Sequence, residues 1–122
     1  MSIKDKNKID AIADNPGDDS IRLLMMEERE WVFVPERLEQ LEDKVSSYYN
    51  FVATGQLNRT LPASQGRKRF VELHCQYEPS EPFMVMFAQI AELFSRQSIG
   101  FRVILVRSME ETGAVTETLL FP

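Results

Sequence analysis

The sequence has little of what enzymes and metal sites usually need. Among its 122 residues there is one histidine, His74, and one cysteine, Cys75. A single cysteine excludes an intramolecular disulfide and favours a reducing, cytoplasmic setting. Zinc sites draw on several His and Cys ligands, so neither a metal nor another cofactor is expected.

The chain also lacks a long apolar segment and an excess of positive charge. Its longest apolar run, residues 83–88, is far too short to span a bilayer, and the polar N-terminus does not resemble a signal peptide. A membrane partner is therefore not expected. The net charge of −5 disfavours nucleic acid as a partner, because a phosphate backbone repels an acidic protein.

The charges that are present are unevenly spread. Residues 27–43 hold seven acidic side chains against Arg29 and Arg37, whereas residues 58–70 hold four basic side chains and no acidic one. Either these two stretches complement each other in the fold, or each faces a different partner.

His74 and Cys75 are adjacent, but the pattern around them separates their side chains. Residues 70–77 alternate between apolar and polar positions, which predicts a half-buried strand. Successive side chains on a strand point to opposite faces. The sequence therefore predicts that Cys75 lies in the core, as a structural cysteine and not a nucleophile, and that His74 lies on the other face.

The remaining patterns predict a single domain over residues 1–122, with a core at about 8–106 and a C-terminal β extension at 107–122. Residues 27–34, around Trp31, are an irregular segment or a further short strand. Strands are predicted at 8–13, 21–26, 70–77, 101–106 and 115–121, and helices from Pro35 to near Gly55 and from Ser80 to about Ser98. The predicted connections are a turn at 15–19, a loop at 56–65 and a turn at 110–113. The predicted fold class is α+β, with one mixed, mostly antiparallel sheet in the order ββαβαβ plus a C-terminal strand, and two helices packed on one face.

This arrangement assigns the strand residues to two faces. Nine apolar residues are predicted to face the helices: Ile21, Leu23, Met25, Val71, Leu73, Cys75, Phe101, Val103 and Leu105. The other face is predicted to carry Arg22, Leu24, Met26, Glu72, His74, Gln76, Ile104 and Val106. Four of these are apolar, and they predict a partner interface: Leu24, Met26, Ile104 and Val106. The C-terminal strand, a second subunit or a partner protein are the three candidates to cover it.

The best candidate for chemistry is the pair of Glu72 and His74. Side chains two residues apart on a strand share a face, so the carboxylate is placed to orient and charge the imidazole. Arg67 and Arg69 follow Gly66 in a basic turn and are candidate binding residues for an anionic group, although the spacing is not that of a phosphate-binding P-loop. The alternative interpretation is a surface or interface histidine beside a solvated basic turn, with no catalytic residues.

Several landmarks in combination resemble a family of small bacterial proteins catalogued only as a domain of unknown function. The landmarks are Lys8-Ile9-Asp10-Ala11-Ile12, Trp31, Tyr49-Asn50-Phe51, Gly55-Gln56-Leu57, Pro62, Gly66-Arg67-Lys68, Tyr77, Pro79 and Gly100-Phe101. The resemblance covers about residues 3–106. It implies a bacterial, intracellular setting, and it carries no activity or catalytic residues.

Small size, acidity and the lack of a catalytic set favour a non-enzymatic protein–protein interaction module of the bacterial cytoplasm, which binds a protein partner or self-associates as a homodimer. An immunity-type protein that neutralises a basic toxin is one concrete version. The alternative is a small-ligand binder or enzyme that uses Glu72 and His74.

Overall fold

The computed structural model describes residues 9–15, 19–62, 66–108 and 113–122, without the side chains of residues 14 and 15. Within these ranges the chain forms five strands and three helices. In chain order they are β1 (Ala11–Asn15), β2 (Ser20–Glu27), α1 (Pro35–Ala53), α2 (Gln56–Thr60), β3 (Lys68–Cys75), α3 (Glu81–Ser95), β4 (Ile99–Ser108) and β5 (Val115–Phe121).

The five strands form one sheet in which spatial order equals chain order, β1-β2-β3-β4-β5. The two outer pairs are antiparallel, whereas β2 with β3 and β3 with β4 are parallel. Parallel neighbours need a crossover connection, and α1 with α2 and then α3 provide the two crossovers. The predicted α+β class and mixed sheet are confirmed. Antiparallel pairings are not a majority, because each helical crossover returns the chain in the direction of the strand before it.

The core lies between the helices and one face of the sheet. All nine strand residues predicted to face the helices are buried there, and the most exposed of them, Leu105, is 5% exposed. Phe101 illustrates the packing, since its ring contacts Phe87 and Phe94 of α3 at centroid distances of 6.1 and 5.8 Å. The period-two pattern therefore predicted this face correctly.

The first helix begins at Pro35, as predicted. Proline has no backbone N–H, and the N–H groups of a helix's first turn have no partner within the helix, so proline costs nothing at this position. It ends before Gly55, whose φ of 81° is in the left-handed region that glycine adopts without strain. The prediction of a loop at 56–65 is wrong in its first half, where α2 forms. Leu57 is the reason, since it is fully buried in the core and anchors this short helix.

The segment between β2 and α1 is irregular, one of the two predicted alternatives. Trp31 packs this segment against the core. The Trp31 ring lies 4.8 Å from the Phe83 ring, centroid to centroid, and the Trp31 Nε1–H donates a hydrogen bond of 2.9 Å to the Tyr77 carbonyl. Four predicted features fall partly outside the described residues: the start of the strand at 8–13, the turns at 15–19 and 110–113, and the end of the loop at 56–65.

The C-terminal strand extends the sheet and does not fold over it. β5 pairs antiparallel with β4, with an irregularity between Val103 and Ile104, and Phe121 packs against Phe101 on the helix side. β5 therefore does not cover the sheet face opposite the helices, and of the three candidates for that role a second subunit and a partner protein are left. Nowhere in the described ranges is there a helix both long and apolar enough to cross a membrane.

Candidate functional site: the open face of the sheet

The sheet face opposite the helices, here called the open face, is organised in rows that run across the strands. The first row is Ala13, Arg22, Phe70 and Gly100; the second is Ala11, Leu24, Glu72 and Arg102; the third is Met26, His74, Ile104 and Leu119. Beyond them β4 and β5 alone form two short rows, Val106 with Glu117 and Ser108 with Val115. The four predicted interface residues do lie on this face, each half-buried. Val115 and Leu119 of β5 add two further apolar side chains, 62% and 57% exposed.

At the centre of the open face, Glu72 is only 2% exposed although α1, α2 and α3 all lie on the other face of the sheet. Three neighbouring side chains enclose its carboxylate. Arg102 Nη2 lies 2.6 Å from Oε2, while Arg22 Nη1 and His74 Nε2 lie 3.3 and 3.1 Å from Oε1. The predicted Glu72–His74 pair therefore exists, but as part of a four-residue cluster.

Gly100 determines how this cluster is built. A Cβ at this position would lie 2.6 Å from Cδ1 of Phe70, so only glycine leaves room for the Phe70 ring. The Arg102 guanidinium in turn lies 4.0 Å from the centre of that ring, a cation–π distance. The Phe70 ring thus packs against the Arg102 guanidinium on one side, and this contact holds the guanidinium beside the Glu72 carboxylate.

The electrostatics keep Glu72 ionised. Burial by itself raises the pKa of the Glu72 carboxyl, but the hydrogen bond from His74 and the charges of Arg102 and Arg22 outweigh it, so the pKa lies below its usual value. A carboxylate can only accept hydrogen bonds, so His74 Nε2 carries the hydrogen. In the neutral imidazole Nδ1 is then a bare acceptor.

The cluster carries a charge imbalance. Two guanidinium groups face one carboxylate, and the Arg22 and Arg102 side chains remain 32% and 31% exposed. Each gives one terminal nitrogen to Glu72, and the buried Nε atom of each has no hydrogen-bond partner within the described part of the chain. The centre of the open face is therefore positive in a protein whose net charge is −5.

A pocket of about 210 Å³ lies beside His74 at the carboxyl ends of the parallel strands. Its lining residues are Met26, Glu27, Glu28, His74, Cys75, Gln76 and Val106. In open α/β sheets, ligands bind outside the carboxyl ends of the strands where the strand order reverses; the order of this sheet does not reverse, so the rule does not by itself mark this pocket as a ligand site. Cys75 contributes no nucleophile, since burial raises the pKa of its thiol to about 11.

The two predicted arginines lie at the other end of β3. Arg67 pairs with Asp19 at 2.9 Å, and Arg69 donates a hydrogen bond to Asn58. Arg69 also has the strand parity of Val71, which places it on the helix side. The structure therefore does not bring either of them to His74, and the arginines that reach the cluster are Arg22 and Arg102. Arg102 was absent from the predicted site, although its even position on β4 placed it on this face.

A second charged cluster, which the sequence did not predict, lies under the helices. Lys44 Nζ of α1 is 2.8 Å from Asp10 Oδ1, and both side chains are fully buried. Asp10 Oδ2 accepts a hydrogen bond from the Met26 amide, and the Tyr48 hydroxyl accepts one from the Asp10 amide and donates one to the Leu24 carbonyl. This cluster fixes the start of β1 against β2 and α1, so its role is structural.

Fold and site together define a small α+β protein whose mixed sheet has one face covered by helices and one face open around an ionic cluster. Across the described ranges, no three His, Cys, Asp or Glu side chains are grouped to hold a metal ion. The chain belongs to a family of unknown function, DUF6572, whose model matches residues 1–107. No curated protein and no solved structure matches it significantly. The family match ends within β4, so β5 lies beyond it.

Proposed function

We propose that this protein is a non-enzymatic protein-binding module of the bacterial cytoplasm, and that the open face is its docking surface. The observation that carries the proposal is the combination of half-buried and exposed apolar side chains with a central, incompletely neutralised ionic cluster. Apolar surface supplies affinity when it is buried, and a fixed central charge supplies specificity.

The charge imbalance indicates the chemistry of the partner. With two arginines on one carboxylate, the centre of the open face favours a partner that presents an acidic side chain between apolar ones. The partly exposed guanidiniums support this choice, because an additional carboxylate would compensate a cluster that Glu72 alone leaves positive. A face-to-face homodimer would bring two such positive centres together, so a different protein is favoured here.

The same charge bears on the immunity hypothesis. A basic toxin would be repelled by the centre of the open face, so an immunity-type protein of this fold would need another surface. The exposed acidic side chains of α1, Glu36, Glu39 and Glu42, are the candidate for that role.

Two synthetic peptides test the docking proposal. They share the same leucines and differ only in a central Glu or Lys, and each is titrated into the ¹⁵N-labelled full chain while amide shifts are recorded by NMR. The Glu peptide is expected to shift the amides of Arg22, Leu24, Arg102 and Ile104 more strongly than the Lys peptide does. Equal responses to both peptides, or shifts confined to the helices, would overturn the proposal.

Two variants provide the matched comparison for this titration. Leu24→Lys puts a charge into the open face and is expected to abolish the shifts. Val85→Lys puts the same charge on α3, where Val85 is 57% exposed, and is expected to leave them unchanged.

A second candidate function is small-ligand binding at the strand-end pocket. Its support is the imidazole of His74, which Glu72 orients through Nε2 so that the neutral ring keeps Nδ1 as its acceptor, beside the apolar side chains of Met26 and Val106. The pocket suits a small apolar molecule with a hydroxyl or amine donor. Benzyl alcohol is the probe and benzyl methyl ether, which lacks the donor, its control. Shifts of the His74 ring protons with the alcohol alone would support this candidate, and no difference between the two would end it.

A further inference from the structure

The outer backbone edge of β5 is a second surface, which borders the open face along side chains such as Leu119 but whose N–H and C=O groups the docking proposal does not use. In the described part of the chain, β5 hydrogen-bonds to β4 on one side and to no strand on the other. Five of its seven residues are exposed, and they include Val115 and Leu119 at 62% and 57%. Natural edge strands are usually protected from further pairing by charged side chains, above all lysine, by proline, by a bulge or by a short length. β5 has no lysine or proline within its seven residues, and its protection is limited to one charge, Glu117, and the irregularity opposite Val103 and Ile104.

We infer that β5 pairs antiparallel with β5 of a second copy of this chain, so that two five-stranded sheets form one continuous ten-stranded sheet. An unpaired strand edge is recognised by another extended backbone. Pairing β5 with itself gives a closed two-fold dimer, whereas pairing β5 with β1 would propagate into a fibre.

The side chains of β5 select the register of this pairing. Its pairing with β4 puts Glu117 and Leu119 on the open face beside Val106 and Ile104, and Thr118 on the helix side beside Leu105. Residues that oppose each other across an antiparallel pair share a face. A two-fold axis at Glu117 would put the two carboxylates directly opposite, which is destabilising. An axis at Thr118 instead places the two Thr118 side chains opposite each other and Glu117 opposite Leu119 of the second copy.

The dimer would enlarge the docking surface without depending on it. A two-fold axis perpendicular to the sheet leaves both open faces on the same side, so the two ionic clusters would stand on one continuous surface. Because the family match ends at residue 107, the strand that makes this contact lies outside the matched region. The inference concerns a different surface from the docking proposal, so either one can fail alone.

A charge swap at Thr118 tests the inference on the full chain. Molar mass is measured by light scattering on a size-exclusion column over a concentration series. The wild type is expected to approach twice 14.1 kDa as concentration rises. Thr118→Lys and Thr118→Glu are each expected to remain monomers, because like charges then oppose each other, and an equimolar mixture of the two is expected to regain the dimer.

The control is Val85→Lys, which adds the same charge to an exposed apolar position on α3 and is expected to dimerise as the wild type does. A wild type that stays monomeric throughout the series overturns the inference. So do single Thr118 variants that dimerise as well as the wild type, or a mixture that fails to regain the dimer.

Discussion

The two faces of the sheet are built from the same strands and differ in what encloses them. On β2, Leu23 is fully buried under the helices, while its neighbour Leu24 is half-buried on the open face. Each side also has an ionic cluster. Asp10 and Lys44 are sealed completely, whereas Arg22 and Arg102 around Glu72 stay about one third exposed. The helices bury one face of the sheet, and this packing determines the fold. On the open face, the side chains are held in place by contacts with one another and stay partly exposed to solvent.

The largest expected difference between the two clusters is in stability. Lys44→Met leaves the Asp10 carboxylate buried without its cation, which costs about 3–5 kcal/mol in the free energy of unfolding. Urea denaturation followed by circular dichroism measures this loss. The double variant Asp10→Asn, Lys44→Met should recover part of it. A loss below about 1 kcal/mol for Lys44→Met would contradict a sealed structural role.

A pair of neighbouring leucines compares the two faces directly. Leu23→Ala removes a fully buried side chain and is expected to cost about 2–5 kcal/mol, since the helices leave a cavity behind. Leu24→Ala makes the same substitution one residue away on the open face and should cost about 1 kcal/mol, because water and neighbouring side chains fill the space. Equal losses in urea denaturation would mean that the open face is covered.

The support beneath Arg102 is tested at Gly100. Gly100→Ala would push Cβ into the Phe70 ring, and the displacement is expected to cost about 1–3 kcal/mol. In a Phe70→Ala background the clash is absent, so the same substitution should be neutral or stabilise the strand by about 0.5 kcal/mol. A double-mutant cycle measures this coupling, and additive effects would mean that Phe70 does not lie over Gly100.

The smallest expected effect is the pH dependence of the Glu72 cluster. The groups that face Glu72 are Arg22, Arg102 and His74, and together they lower its pKa in the folded state. A lowered folded pKa stabilises the protein above the unfolded value and loses this contribution as pH falls through the folded one. Glu72→Gln is therefore expected to cost about 1–2 kcal/mol at neutral pH and close to nothing in strong acid. If the stability difference between wild type and Glu72→Gln stayed constant from pH 7 to pH 2, the lowered pKa of Glu72 in the folded state would be contradicted.

The helix side of the fold could be predicted from the sequence because it depends on local alternation. The period-two alternation placed all nine predicted residues, Cys75 among them, correctly on the helix side of the sheet. Pro35 correctly marked the start of α1. The ionic clusters could not be predicted in this way. Glu72 meets Arg22 from 50 residues away, and Lys44 meets Asp10 from 34. These contacts depend on strand order and register, which alternation does not specify.

The same limit explains why Arg67 and Arg69, and not Arg102, were grouped with Glu72 and His74. Parity along β3 put Glu72 and His74 together correctly, but the arginines nearest in sequence, Arg67 and Arg69, lie at the far end of the strand. The partners of Glu72 come from β2 and β4, because parallel pairing puts Arg102 directly beside it. Strand order and register, and not any sequence motif, decide which arginine lies beside Glu72.

The central claim is that the charge at the centre of the open face selects the partner while the helix side maintains the fold. A triple variant, Arg22→Gln, Glu72→Gln, Arg102→Gln, removes that charge and keeps an uncharged polar side chain at each of the three positions. The decisive measurement is the affinity of this variant and of the wild type for the Glu and Lys peptides. The account predicts that the wild type prefers the Glu peptide and that the folded triple variant binds both equally. A wild type without preference, or a triple variant that keeps the preference, would contradict it.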